Sequence, residues 1–131
     1  MQRLPVNRYH FFQPLFICIL LVLSGCSIPP AKSTVEELII KHFEKRQYKV
    51  TDVMIGDISP IAMGEKQYMG TEGYDVKVPL LTLEFTRDIG EPWNYKKGRH
   101  MTYHNGSVRI KRSAERSNEW IIINISGIPL P

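Results

Sequence analysis

Cysteine is nearly absent from this chain. Of its 131 residues only Cys18 and Cys26 are cysteine, and none follows Cys26. That excludes a disulfide framework or a cysteine-built zinc site in residues 27–131. Long apolar runs are also lacking. The most apolar stretch, residues 11–23 (FFQPLFICILLVL), has 13 residues, against the ~20 that a helix needs to cross a bilayer core. Gln13 and Pro14 weaken its first turn further. There is no internal repeat and no low-complexity tract. With 43% hydrophobic and 23% charged residues, the composition is globular and not that of a disordered chain.

The usual signatures of catalysis are missing too. No G-x-S-x-G occurs, and Ser113 and Ser117 have no base spaced to activate them. Gly64, Gly70 and Gly73 fit no phosphate-cradling loop. The acids Asp52, Asp57, Asp75 and Glu84 are scattered, with nothing to pair them. His100 and His104 would share a strand face about 13 Å apart, too far to hold one metal ion. The expectation is a non-enzymatic domain without cofactor or metal.

What is present is concentrated at the N-terminus. Residues 1–10 carry Arg3 and Arg8 and no acid, and the short apolar run follows directly. This is the layout of an export signal. It ends in Leu23-Ser24-Gly25-Cys26, an aliphatic residue, two small residues and a cysteine. That tetrapeptide resembles the lipobox of bacterial lipoproteins. The resemblance implies cleavage between Gly25 and Cys26, a thioether-linked diacylglycerol on the Cys26 thiol and an N-acyl chain on its new amino group. Each buried CH₂ contributes about 0.8 kcal/mol, so two or three chains anchor stably where one is marginal. The implied partner is thus a membrane, reached through the lipid. Ser27 stands where an Asp would resemble an inner-membrane retention signal, which points to the outer membrane of a Gram-negative envelope, or to the outer face of the cytoplasmic membrane of a Gram-positive one.

Losing Arg3 and Arg8 lowers the formal charge from +4 to +2. That is no footprint for nucleic acid. The expected organisation is a signal over residues 1–25, a lipidated tether over 26–32 made stiff by Pro29 and Pro30, and one α+β domain over 33–131.

Within that domain the pattern predicts a helix over 34–46. Ser33 or Thr34 would cap it, and Val35, Leu38, Ile39 and Phe43 make one apolar face. From Tyr48 onward the pattern is strand-like. A strand runs over 48–58 and a loop over 60–73. Tyr74, Val76 and Val78 alternate on one parity, then Leu81, Leu83 and Phe85 on the other, which calls for a β-bulge near Pro79–Leu81. Asn105-Gly106 predicts a tight hairpin between 99–104 and 107–113. Ala114–Asn118 is a polar turn. The strand 119–126 (EWIIINIS), the most apolar, is expected at the centre of the sheet. The fold class is therefore α+β, one N-terminal helix on a bent, mostly antiparallel sheet of four or five strands. This order, ending in a Trp120-Ile-Ile strand followed by Gly127, resembles the cystatin-like and NTF2-like superfamilies over residues 33–128. Because NTF2-like domains carry more helices before the sheet, the resemblance is nearer to the cystatin-like variant.

One surface stands out. Trp93, Tyr95, Lys96, Lys97 and Arg99 mix rings with bases, and Arg109, Lys111 and Arg112 follow in the next strand segment. Together they are a candidate patch for an acidic partner or anionic headgroups. The functional expectation is a lipid-anchored envelope lipoprotein that binds a protein or an envelope component. A small-ligand or enzymatic pocket of NTF2-like type, and an accessory, pilotin-like role in a secretion or conjugation apparatus, remain the alternatives.

Overall fold

A computed structural model describes residues 28–62 and 72–131. The signal over 1–25, the Gly25–Cys26 cleavage pair and Ser27 lie outside these residues, as does most of the expected 60–73 loop. Among the described residues no helix is long and apolar enough to cross a membrane.

Helix α1 spans Lys32–Glu44, beginning two residues earlier than the capping pattern predicts. Ala31, extended at φ −63° and ψ 149°, is the residue before it. Its carbonyl accepts from the Thr34 and Val35 amides at 3.0 and 3.2 Å. Ser33 and Thr34 therefore lie inside the first turn and make no side-chain cap. Pro30 holds the chain extended up to that point. Val35, Ile39 and Phe43 are wholly buried, as their i, i+4 spacing requires. The helix ends in a turn closed by Arg46 N–H to Phe43 O and Gln47 N–H to Glu44 O, both 2.9 Å. Gln47, at φ 66°, reverses the chain into the sheet.

The sheet has five antiparallel strands: β1 (Tyr48–Met54), β2 (Ile58–Pro60), β3 (Gly73–Phe85), β4 (His100–Ser113) and β5 (Glu119–Ser126). Their order is β1-β3-β4-β5, with β2 also on β3. The expected 48–58 strand is thus two strands on one edge of β3. Gly56 N–H to Lys77 O (2.8 Å) and Lys77 N–H to Asp57 O (2.9 Å) bridge the gap between them.

The parity slip in β3 is real, but no extra residue absorbs it. Val78 pairs with Gly106 and Leu80 with His104 in unbroken register. Pro79 thus lies opposite Asn105, which has φ 58°. Both strands reverse face at this one place. Val76 and Val78 beside Val108, and Leu81 and Leu83 beside Tyr103, all enter one core with α1. The sheet therefore has two arms, β1 with the later half of β3 and β2–β5 with the earlier half, and α1 packs between them.

Asn105-Gly106 is consequently not a hairpin. The positive φ expected of Asn105 is there, but it bends a continuous strand. Gly106 is needed because a Cβ there would lie 2.9 Å from Cγ1 and Cδ1 of Ile128. The tail 127–131, which turns at Gly127 (φ 75°), lays Ile128 on this bend. Tyr103 donates its hydroxyl to Pro129 O at 2.9 Å. The true β4–β5 hairpin is at the polar turn, a 3-10 turn over Ala114–Arg116 followed by Ser117 and Asn118 at φ 52° and 61°.

The apolar strand β5 is not central. It lies at the sheet edge with β4 as its neighbour. Trp120, Ile122 and Ile125 pack on the core from one face, whereas Ile123 is 37% exposed.

Candidate functional site

The expected basic-aromatic patch divides into two groups at opposite ends of β4. Arg99 precedes the strand and Arg109, Lys111 and Arg112 sit near its far end. Ten residues of strand separate Arg99 from Arg109, about 33 Å if straight.

The first group belongs to the β3–β4 connection. Ile89 bridges to Tyr95, and Asp88 accepts from the Lys97 amide at 2.8 Å. That hydrogen bond, with the Lys96 ammonium 3.7 Å away, holds the Asp88 carboxyl below its ordinary range. The rings form a ladder from the core outward. Tyr48 meets Phe85 edge-on at 5.4 Å, Phe85 meets Tyr95 at 5.4 Å, and Tyr95 meets Trp93 at 6.2 Å. Arg99 lies 4.0 Å over the Tyr95 ring. The ladder explains why these residues cluster in sequence: they pin a long connection to the core. Trp93, at its tip, is 51% exposed.

In the second group, Arg109 is bound bidentately to Asp75 at 2.8 and 3.0 Å. Asp75 is its cross-strand partner, and the register extends the row from Ser59 through Asp75 and Arg109 to Asn124. The adjacent row holds Lys77, Ser107 and Ser126. These residues line a polar cleft of about 380 Å³ on the sheet face away from α1. Arg112 lies on the other face, 4.5 Å over the Trp120 ring, and donates to Asn118 O at 2.8 Å. Lys111 pairs with Ile121. Much of the basic charge near β5 is therefore already engaged in the fold.

A site that the sequence pattern does not reveal lies between α1 and β5. Leu38, Lys41, His42 and Lys45 form one stripe along the helix. They face Glu119, Trp120, Ile121 and Ile122 of β5, with Arg116 from the turn, across a cleft of about 240 Å³. Trp120 is held in place by Arg112 on one ring face and by an edge contact with Tyr74 at 5.7 Å. The cleft has an apolar floor of Leu38, Trp120 and Ile122 and a rim with Lys41, Lys45 and Arg116 and one acid, Glu119. Burial is the main reason that His42 sits below its ordinary pKa, and the Arg46 and Lys45 charges act in the same direction. His42 is thus neutral near pH 7 and leaves the lysines as the rim's positive charge.

His100 and His104 both lie on β4. His100 faces Glu84 at 3.8 Å. No group of three or more potential metal ligands occurs among the described residues. No protein-family model matches the chain, and no curated protein or solved structure matches it either.

Proposed function

We propose that the chain is a lipid-anchored lipoprotein of the bacterial cell envelope, held by a diacylated and N-acylated Cys26, whose domain acts by binding another envelope protein. The Leu23-Ser24-Gly25-Cys26 tetrapeptide after a short apolar run supports the anchor, and Ser27 supports the outer membrane.

The observation that carries the binding role is the filled interface between helix and sheet. Val35, Ile39 and Phe43 meet Val76, Leu81, Leu83, Phe85 and Ile110, all at most 2% exposed. A ligand-holding domain of the NTF2-like kind would keep space between those layers. The clefts described above open to the surface, one at the margin between α1 and β5 and one on the sheet face away from α1, and suit a docking protein better than an enclosed ligand.

Two measurements test this reading. Labelled palmitate should enter the wild-type protein and not Cys26→Ala, and only the wild type should fractionate with membranes. Cross-linking in intact envelopes should then trap the wild-type protein with a stoichiometric protein partner. Label persisting in the Cys26→Ala variant would overturn the anchor. A monomer that cross-links to nothing would overturn the binding role.

A further inference from the structure

We propose that the cleft between α1 and β5 is a docking groove for an extended, acidic segment of a partner protein, which joins the sheet as a strand beside β5. The proposal deepens the protein-binding reading above and rests on it.

Three observations carry it. First, β5 is an edge: β4 is its neighbour in the sheet order, and its other side is open among the described residues. Its eight residues, Glu119–Ser126, with one bulge at Ile123, present up to about 26 Å of backbone to pair with. None of them is proline. An added strand gains main-chain hydrogen bonds from such an edge, and flanking surfaces select its side chains.

Second, the two faces of that edge differ. On the side of α1, the added strand would run below Lys41, Lys45 and Arg116. On the far side it would run beside Ile123, which is 37% exposed. Because successive side chains of a strand point to opposite faces, the complementary segment alternates, with Asp or Glu toward the helix and aliphatic residues toward Ile123.

Third, the charge opposes the simplest competing occupant, because the three cations of the cleft outnumber its one acid, Glu119. Two copies of this chain pairing β5 to β5 about a twofold axis would bring both helices to the same junction. Lys41, Lys45 and Arg116 of each would then face those of the other, and like charges juxtaposed across an interface oppose it. An acidic segment turns the same charges into attraction.

The probe is a labelled octapeptide of alternating Glu and Val, with a Lys/Val octapeptide as its charge-reversed control. It is titrated onto the full-length acylated protein in neutral detergent. The Glu/Val peptide should bind, and the Lys/Val peptide should not. Binding should slow hydrogen exchange at the amides of 120–126 and leave those of 48–54 unchanged. The double variant K41E/K45E alters two exposed side chains and should weaken binding about tenfold or more. I123K should weaken it severalfold. Raising salt from about 50 to about 300 mM should weaken it about threefold or more.

Several results would overturn the proposal: no binding of the Glu/Val peptide, equal binding by K41E/K45E, or protection at β1 instead of β5. A concentration-dependent dimer at low salt that I123K dissolves would make a second copy the occupant. Protection of β5 by anionic vesicles but not by the peptide would make it a lipid surface. If the peptide fails while the acylated protein still cross-links to an envelope protein, the groove is wrong and the binding role stands. If both fail, both are wrong.

Discussion

The two edges of the sheet are built differently. The β1–β2 edge is interrupted at every few residues. Its register slips between Val50 and Asp52, it breaks at residues 55–57, and it ends at Pro60. Lys49, Thr51 and Asp52 are exposed along it. Bulges, charges and proline are the devices that keep a sheet edge from pairing with another chain. β5 has one such bulge, at its extra residue Ile123, and a single charge, Glu119, at its start, but no break and no proline. Five of its eight residues are Trp or Ile. One edge of this sheet is blocked at several points along its length and the other at one.

Helix α1 contacts both β1 and β5, so a substitution in the helix loads both edges at once. Phe43→Ala removes a wholly buried ring and should cost about 3–5 kcal/mol, seen as a lower urea midpoint. Amide exchange in β1 and β5 should rise together. If β5 opens well before β1, the arms are separate cooperative units and the helix does not join them.

A smaller effect sharpens the contrast. Ile123→Lys should change stability by no more than about 0.5 kcal/mol, because the side chain is already 37% exposed. It should nevertheless slow self-association at about 1 M salt, where repulsion between the lysines of two copies is screened. The mirror substitution Lys49→Ile should not promote association, since the slip near Asp52 and Pro60 still block that edge. Light scattering checks both. Association by Lys49→Ile would mean that hydrophobicity alone, and not backbone geometry, separates the edges.

These edges also mark where the sequence was legible. Val35, Leu38, Ile39 and Phe43 announce the helix and its buried face, because a 3.6-residue period is a local property. The reversal of parity between Val78 and Leu81 is legible too, yet the device behind it is not. Pro79 acts together with Asn105, a residue of another strand, so neither segment alone shows that they bend as a pair. Asn105-Gly106 signals positive φ correctly and topology wrongly. What decides between turn and bend is Ile128, which packs on Gly106 from 22 positions away. The apolarity of β5 suggests a central strand, and only the sheet order shows that β4 is its single neighbour among the described residues. Residues 93–99 and 109–112 are close in sequence, but a strand of 14 residues holds its ends apart. The reverse holds for the α1–β5 cleft, whose Lys41 and Trp120 are brought together by the fold alone.

The smallest predicted effect concerns His42, which faces the available edge. Burial disfavours its imidazolium, and Arg46 and Lys45 on the same helix add to that. The folded protein therefore binds this proton less readily than the unfolded chain, whose His titrates near 6.5. Stability from this group is complete above that pH and declines as the pH falls through it. The slope should be shallow, because His42 is only partly buried and solvent screens its neighbours. Glu119 of β5 and Arg116 of the turn line the same cleft with opposite charges. Urea midpoints taken from pH 7.5 to 5.5 should fall slightly for the wild type and less for His42→Gln. The acid-dependent rise in amide exchange should appear in β5 before β1. Equal slopes for the two proteins would mean that water reaches His42 freely. The cleft would then be too open to clamp a strand, and the difference between the edges would reduce to the sequence of β5 alone.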